Sequence, residues 1–241
     1  MRKSSRRFGS PLVFCAAIVI FSLTSLTDAR AADPSNVQTF RVGLKSIVIP
    51  QPTAELAETG SDYRVMFELL APNTNRLVAA FLRPDDLKSR IAGSADLSQY
   101  ALVEVPRRAE FATVTPELFK QVSAGMAQQF GAAVELSLKD EQDEINRKLK
   151  SLNGTASTIS LEKPLMLGTF FSKPDACSFG MILQMASNGN QKKLATAVTV
   201  MRVQERVLFL YTYAEYLNED SVNRLRTTAE QWADAVLKAN Q

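Results

Sequence analysis

The chain has 241 residues, 46% of them apolar, with 28 basic and 25 acidic side chains and no histidine. Without imidazole it lacks the usual general base of serine and cysteine hydrolases and the commonest zinc ligand. Its two cysteines, Cys15 and Cys177, are too few for a disulfide framework or a thiolate metal cluster.

In chain order, the first feature is an export signal over residues 1–31. Arg2, Lys3, Arg6 and Arg7 form a basic start, and Leu12 to Leu26 form an apolar run shorter than the ~20 residues that span a bilayer. Ala29-Arg30-Ala31 has the small-x-small pattern of a signal-peptidase site, so cleavage is expected between Ala31 and Ala32. An uncleaved anchor is the alternative reading. Phe14 before Cys15 argues against lipid attachment there, and Arg6-Arg7 lacks the rest of a twin-arginine pattern.

Removing this leader leaves 23 basic against 24 acidic residues, a net charge of −1, so the pI near 8.9 belongs to the precursor. The basic excess that would point to nucleic acid disappears, and no later segment reaches membrane-spanning length. The expectation is a periplasmic or secreted protein whose partner is an envelope protein or a small ligand. Cys177 remains as a single thiol, for which core packing, a redox role and an intermolecular disulfide are all readings.

Residues 32–38 (ADPSNVQ) read as a mobile tether, and 39–241 as a single domain. Val42, Leu44 and Ile47-Val48-Ile49 predict a strand ended by Pro50 and Pro52. Ser61 is placed to cap a short helix carrying Tyr63, Met66, Phe67 and Leu70 on one face. Strands are predicted over 76–82 and 99–105, joined by a polar connection, Asp85–Asp96. Thr115-Pro116-Glu117 is a strong helix start, and helical pattern runs on, with a possible break at Phe130-Gly131, to Asn153-Gly154.

The last third predicts strands at 157–172, 176–187, 193–203 and 206–215, linked by turns too short for anything but antiparallel pairing. Val207–Tyr213 is almost wholly apolar, as a central strand covered on both faces requires. Phe209, Tyr211, Tyr213 and Tyr216 are expected to pack beneath Trp232, as core or as the lining of a ligand cavity. Asn218 caps a terminal amphipathic helix with Val222, Leu225, Ala229, Trp232 and Val236 at helical spacing. The fold class is therefore α+β, a largely antiparallel sheet with helices on its faces, or α/β/α sandwich.

No catalytic motif survives scrutiny. Ser160-Leu161-Glu162-Lys163 matches Ser-x-x-Lys but falls on predicted strand, where residues three apart face opposite ways. Asp140, Glu141, Asp143 and Glu144 lack the glycine and alternation of a calcium loop, and they read as a solvated helix face with i,i+4 partners Arg147 and Lys148. Arg107-Arg108 is the tight basic pair after the second apolar strand, a candidate for partner or anion contact. No catalytic, cofactor or metal residue is assigned.

The strand run ending in VLFLYTYAEY, followed by NEDSVNRLRTTAEQWADAVLKAN, resembles the C-terminal part of exported bacterial proteins comparable with the PsbP-like α/β/α sandwich. That resemblance covers residues 155–241 best and implies an accessory or binding role without transferring any functional residue. The expected function is thus a non-catalytic exported binding or accessory domain. The competing reading is a histidine-independent enzyme using carboxylate or lysine chemistry.

Overall fold

A computed structural model describes residues 38–60, 64, 67–68, 71–91, 97–153, 159–187 and 190–241. The leader with its Ala31–Ala32 site, most of the tether, Ser61 with most of its short helix, and the Asn188-Gly189 turn lie outside the described residues. Ten strands and three helices are described: β1 (Gln38–Val42), β2 (Lys45–Ile49), β3 (Ala57–Glu58), β4 (Asn75–Leu82), α1 (Pro84–Ile91), β5 (Gln99–Pro106), α2 (Pro116–Asn153), β6 (Ile159–Leu161), β7 (Leu165–Lys173), β8 (Ala176–Ser187), β9 (Asn190–Val203), β10 (Arg206–Glu215) and α3 (Glu219–Ala239).

Eight strands form one antiparallel sheet in the order β3-β4-β5-β10-β9-β8, beyond which both β6 and β7 pair with different stretches of β8. The expected strand 157–172 is thus two, interrupted at Glu162–Pro164, where proline cannot donate to the ladder. β10 lies between β5 and β9 and is buried from Arg206 to Tyr213, as its apolar run requires. The β9–β10 turn places Gln204 at φ 45° and Glu205 at φ 67°, the double positive φ of a two-residue hairpin loop. β7 is interrupted twice, with register shifts between Met166 and Gly168 and between Thr169 and Phe171, and Gly168 sits at φ 80°.

Four further expectations need correction. The strand predicted across 42–49 is a hairpin, because Gly43 takes φ 57° and reverses the chain with Leu44 at the tip. Gln38, assigned to the tether, already belongs to β1. The polar connection after β4 contains α1, where Pro84 opens a helix with Asp85 and Asp86 in its first turn. α2 runs unbroken through Phe130-Gly131.

Sheet periodicity divides the core in two. On one face, Phe119, Met126, Phe130, Val134 and Ile145 of α2 cover Tyr100, Phe179, Val198, Phe209, Tyr211 and Tyr213. On the other, Leu225, Ala229, Trp232 and Val236 of α3 cover Val103, Ala197, Met201, Leu208 and Leu210, with Phe40, Val42, Ile47 and Ile49 of the β1–β2 hairpin beside them. Phe209, Tyr211 and Tyr213 therefore lie beneath α2 and not beneath Trp232, since alternate residues of a strand face opposite ways. Tyr216, three residues beyond Tyr213, does fall on the α3 side.

Asn218 caps α3 through the backbone N–H of Ser221, whose hydroxyl accepts in return from the Asn218 N–H, a reciprocal box. At the other end Asn240 acts as a short strand partner for β2: its Oδ1 accepts from the Val48 N–H at 2.9 Å and its Nδ2 donates to the Val48 carbonyl at 2.7 Å. Trp232 Nε1 donates to the Pro50 carbonyl at 2.8 Å. Helix and hairpin are thereby fixed to each other by side-chain bonds to the main chain as well as by apolar burial.

Candidate functional site

Between the outer edge of β1 and the first half of β4 lies an open cleft of about 590 Å³, lined by Gln38–Arg41, Glu58, Gly60, Arg64, Glu68 and Arg76–Val78. Its walls are strand edges. Val48 uses its N–H and carbonyl on Asn240, away from β1, so its cross-strand partner Thr39 directs its own N–H and carbonyl the opposite way, toward the cleft. On β4, the bulge between Leu77 and Ala79 turns Val78 so that its carbonyl accepts from Arg64 Nη1 at 3.4 Å.

Four arginines and three glutamates set the electrostatics. Arg76 Nε reaches both carboxylate oxygens of Glu110, at 3.1 and 3.2 Å, and its Nη2 donates to Glu110 and to the Arg41 carbonyl. Glu110 also accepts from the Gly43 N–H. Arg64 lies 3.8 Å from Glu58 and 6.0 Å from the Phe40 ring centroid, while Glu58 Oε2 accepts from the Gly60 N–H at 2.7 Å. Glu68 is 3.9 Å from Arg107. Arg41, exposed and on the cleft lining, uses only Nε within the described residues, on the Gly43 carbonyl.

The Arg76 hydrogen bonds hold the Glu110 carboxyl below its ordinary pKa of 4.5, against the opposing effect of partial burial. A lowered folded-state pKa stabilises the protein above the unfolded-state value, and that stabilisation is lost as pH falls through the folded-state value. Acid titration of stability should therefore show a Glu110 contribution that begins near pH 4.5 and is absent in Glu110→Gln. Identical acid slopes for the two proteins in urea melts would contradict this.

Comparisons with known proteins add little. No protein-family model and no curated protein matches the chain. Among solved structures, the 1.9 Å crystal structure of the Saccharomyces cerevisiae Ran-binding protein Mog1p aligns over 85% of this chain and 93% of that chain, at 10% identity and a TM-score of 0.28. A likeness that distant carries no argument about function.

The residues singled out from sequence fall in three separate places. Arg107 and Arg108 open the turn after β5; Arg107 is tied to Glu68 at the cleft rim and by its N–H to the Thr74 carbonyl, and Arg108 is exposed. Cys177 is buried in the α2-side core, and loss of solvent pushes its pKa up to about 12. Such a thiol is a packing residue, so the redox and intermolecular-disulfide readings find no support in its surroundings. Native protein at pH 8 should resist thiol-reactive dye, reacting fully only in denaturant; rapid native labelling would show the burial to be wrong.

Ser160 and Lys163 are not a catalytic pair, for Lys163 Nζ bonds Glu135 of α2 at 2.9 Å. Of the acidic run in α2, Glu144 pairs with Lys148 at 2.8 Å as expected, but Glu141 is buried, not solvated. It lies on the inward face with Ile145, four residues on. A second carboxylate, Glu104 of β5, is wholly buried and accepts from Asn75 Nδ2 at 2.8 Å. Sequence reasoning missed the cleft, whose one sequence signal is Arg76, a charge inside an otherwise apolar strand.

Proposed function

We propose that this protein is an exported, non-catalytic binding or accessory domain of the PsbP-like sandwich kind, which engages an envelope partner through the cleft between β1 and β4. The observation that carries the reading is the inequality of donors and acceptors there. Glu58, Glu68 and Glu110 each face an arginine, whereas Arg41 on the lining meets no carboxylate among the described residues and the Thr39 main chain faces the opening. The groups offered to a ligand are thus a guanidinium and a strand edge, the combination that takes an acidic segment in extended conformation. The carboxylates serve as counter-ions, and Glu110, kept ionised, has no proton to give at neutral pH.

The export component rests on the leader, and an N-terminus at Ala32 in protein recovered from the periplasm tests it. For binding, the test is crosslinking in the envelope with wild type and with Arg41→Glu/Arg64→Glu. A specific adduct that disappears in the double variant, with its thermal transition unchanged, supports the cleft. An adduct formed equally by both proteins would remove the cleft from the proposal.

A further inference from the structure

Near the cleft, but facing outward, two turns meet at one end of the molecule. The tip of the β1–β2 hairpin and the turn Arg107–Phe111 touch closely: a methyl group at Gly43 would sit 3.4 Å from Phe111 Cα. Each turn presents a large apolar side chain to solvent, Leu44 at 74% exposure and Phe111 at 67%. Single exposed apolar residues are ordinary on protein surfaces, but here two bulky ones stand on turns that touch each other.

The turn before and after Phe111 is held in place. Arg76 and the Gly43 N–H both grip Glu110, the residue before Phe111. On its other side, Arg206 Nη1 donates to the Ala112 carbonyl at 2.7 Å, and the Val114 N–H donates to the Glu205 carbonyl at 2.9 Å. The backbone that carries Phe111 is therefore held on both sides.

The charge around it is cationic. Arg107 and Arg108 stand at the start of the same turn, and Arg41 lies two residues before Gly43. The Arg108 side chain has no bonded partner among the described residues, and the Arg107 side chain is paired at 3.9 Å with half-exposed Glu68 and lies within the field of Glu110. The nearby acids are occupied, Glu110 by Arg76 and Glu205 by Lys45. A near-neutral whole-chain charge therefore hides a local basic rim around an apolar tip.

We infer that this end of the molecule is a docking surface for an anionic lipid bilayer, with Phe111 and Leu44 entering the headgroup region and Arg107 and Arg108 bound to lipid phosphates. Exposed apolar turns fit a fluid interface, which needs no preformed pocket, and the flanking arginines match its negative surface potential. Its test is separate from the cleft's, because Phe111, Arg107 and Arg108 do not line the cleft.

The test uses protein purified from cells expressing the full chain and carrying Phe111→Trp. The natural chain has one tryptophan, Trp232, which is buried, so a change in the added indole reports the tip and not the leader. Vesicles of equimolar phosphatidylglycerol and phosphatidylcholine should shift its emission to the blue, and brominated lipid should quench it. Adding Arg107→Ala and Arg108→Ala should weaken the apparent vesicle affinity roughly 30-fold, and raised salt should weaken it too. Emission unchanged by these vesicles would overturn the inference. So would a shift insensitive to the two arginines, or a tip that stays unquenched while the wild type binds a protein partner through Phe111.

Discussion

Replacing Trp232 by alanine is expected to lower the unfolding free energy by about 3–5 kcal/mol, the range for deleting a large buried aromatic side chain. Trp232 is 1% exposed and meets the Phe81 ring edge-on at 5.7 Å between centroids, so most of the cost is lost burial and the cavity left behind. A second contribution comes from the indole N–H, whose loss leaves the Pro50 carbonyl without that donor. Trp232→Phe helps to separate the two, since it removes the hydrogen bond and keeps much of the packing. Urea unfolding should place it between wild type and Trp232→Ala. If Trp232→Ala unfolds within 1 kcal/mol of wild type, a threshold well below the usual cavity cost, α3 does not anchor this face of the sheet as described.

Gly43→Ala is expected to cost roughly 2–4 kcal/mol, combining a left-handed backbone that L-residues disfavour with overpacking. An added Cβ would lie 2.5 Å from the Glu110 carbonyl oxygen, a main-chain atom held by the Arg76–Glu110 contact, so there is no flexible side chain to give way. Relief requires the hairpin tip or the turn Arg107–Phe111 to move, and either motion separates Leu44 from Phe111. The variant should therefore show faster amide exchange across residues 107–112 along with its lower urea midpoint. A loss of stability with unchanged exchange there would place the strain in the hairpin alone.

What could be read from sequence follows the distance over which each feature is decided. The β9–β10 hairpin and the Asn218 cap depend on residues within a few positions of each other, and both were legible. Thr115-Pro116 likewise marked the start of α2 correctly. The β1–β2 hairpin was missed because Gly43, inside an apolar run, reads as a weak spot in a strand until its close approach to Glu110 is known. α1 was missed because Pro84 is equally good at ending a strand and opening a helix. The facing of Phe209, Tyr211 and Tyr213 was misjudged for a different reason: alternation shows that they share a face, but not which helix covers it.

The cleft was the least legible feature. Arg41, Arg64 and Glu110 are scattered along the chain and look like ordinary surface charges, and Arg76, set in an apolar strand, is the one hint, until the β4 bulge and the hairpin bring them together. Arg107 and Arg108 were visible as a pair, but their neighbours Leu44 and Phe111 were not, because exposure is a property of the packed molecule.

The two interruptions in β7 have a consequence for how the protein behaves when crowded. A long, straight, apolar strand at the border of a sheet invites the same strand of another molecule to add on, and the process repeats into a fibre. β7, with its sequence LMLGTFFSK, has the composition for that hazard. The register shifts around Gly168 and Phe171 break its outward row of donors and acceptors into short pieces that no straight strand can match. At the opposite border β3 is two residues long and gives a newcomer little to hold. Shape thus opposes growth along β7, whereas the part of β4 that β3 does not cover keeps the open edge that lines the cleft.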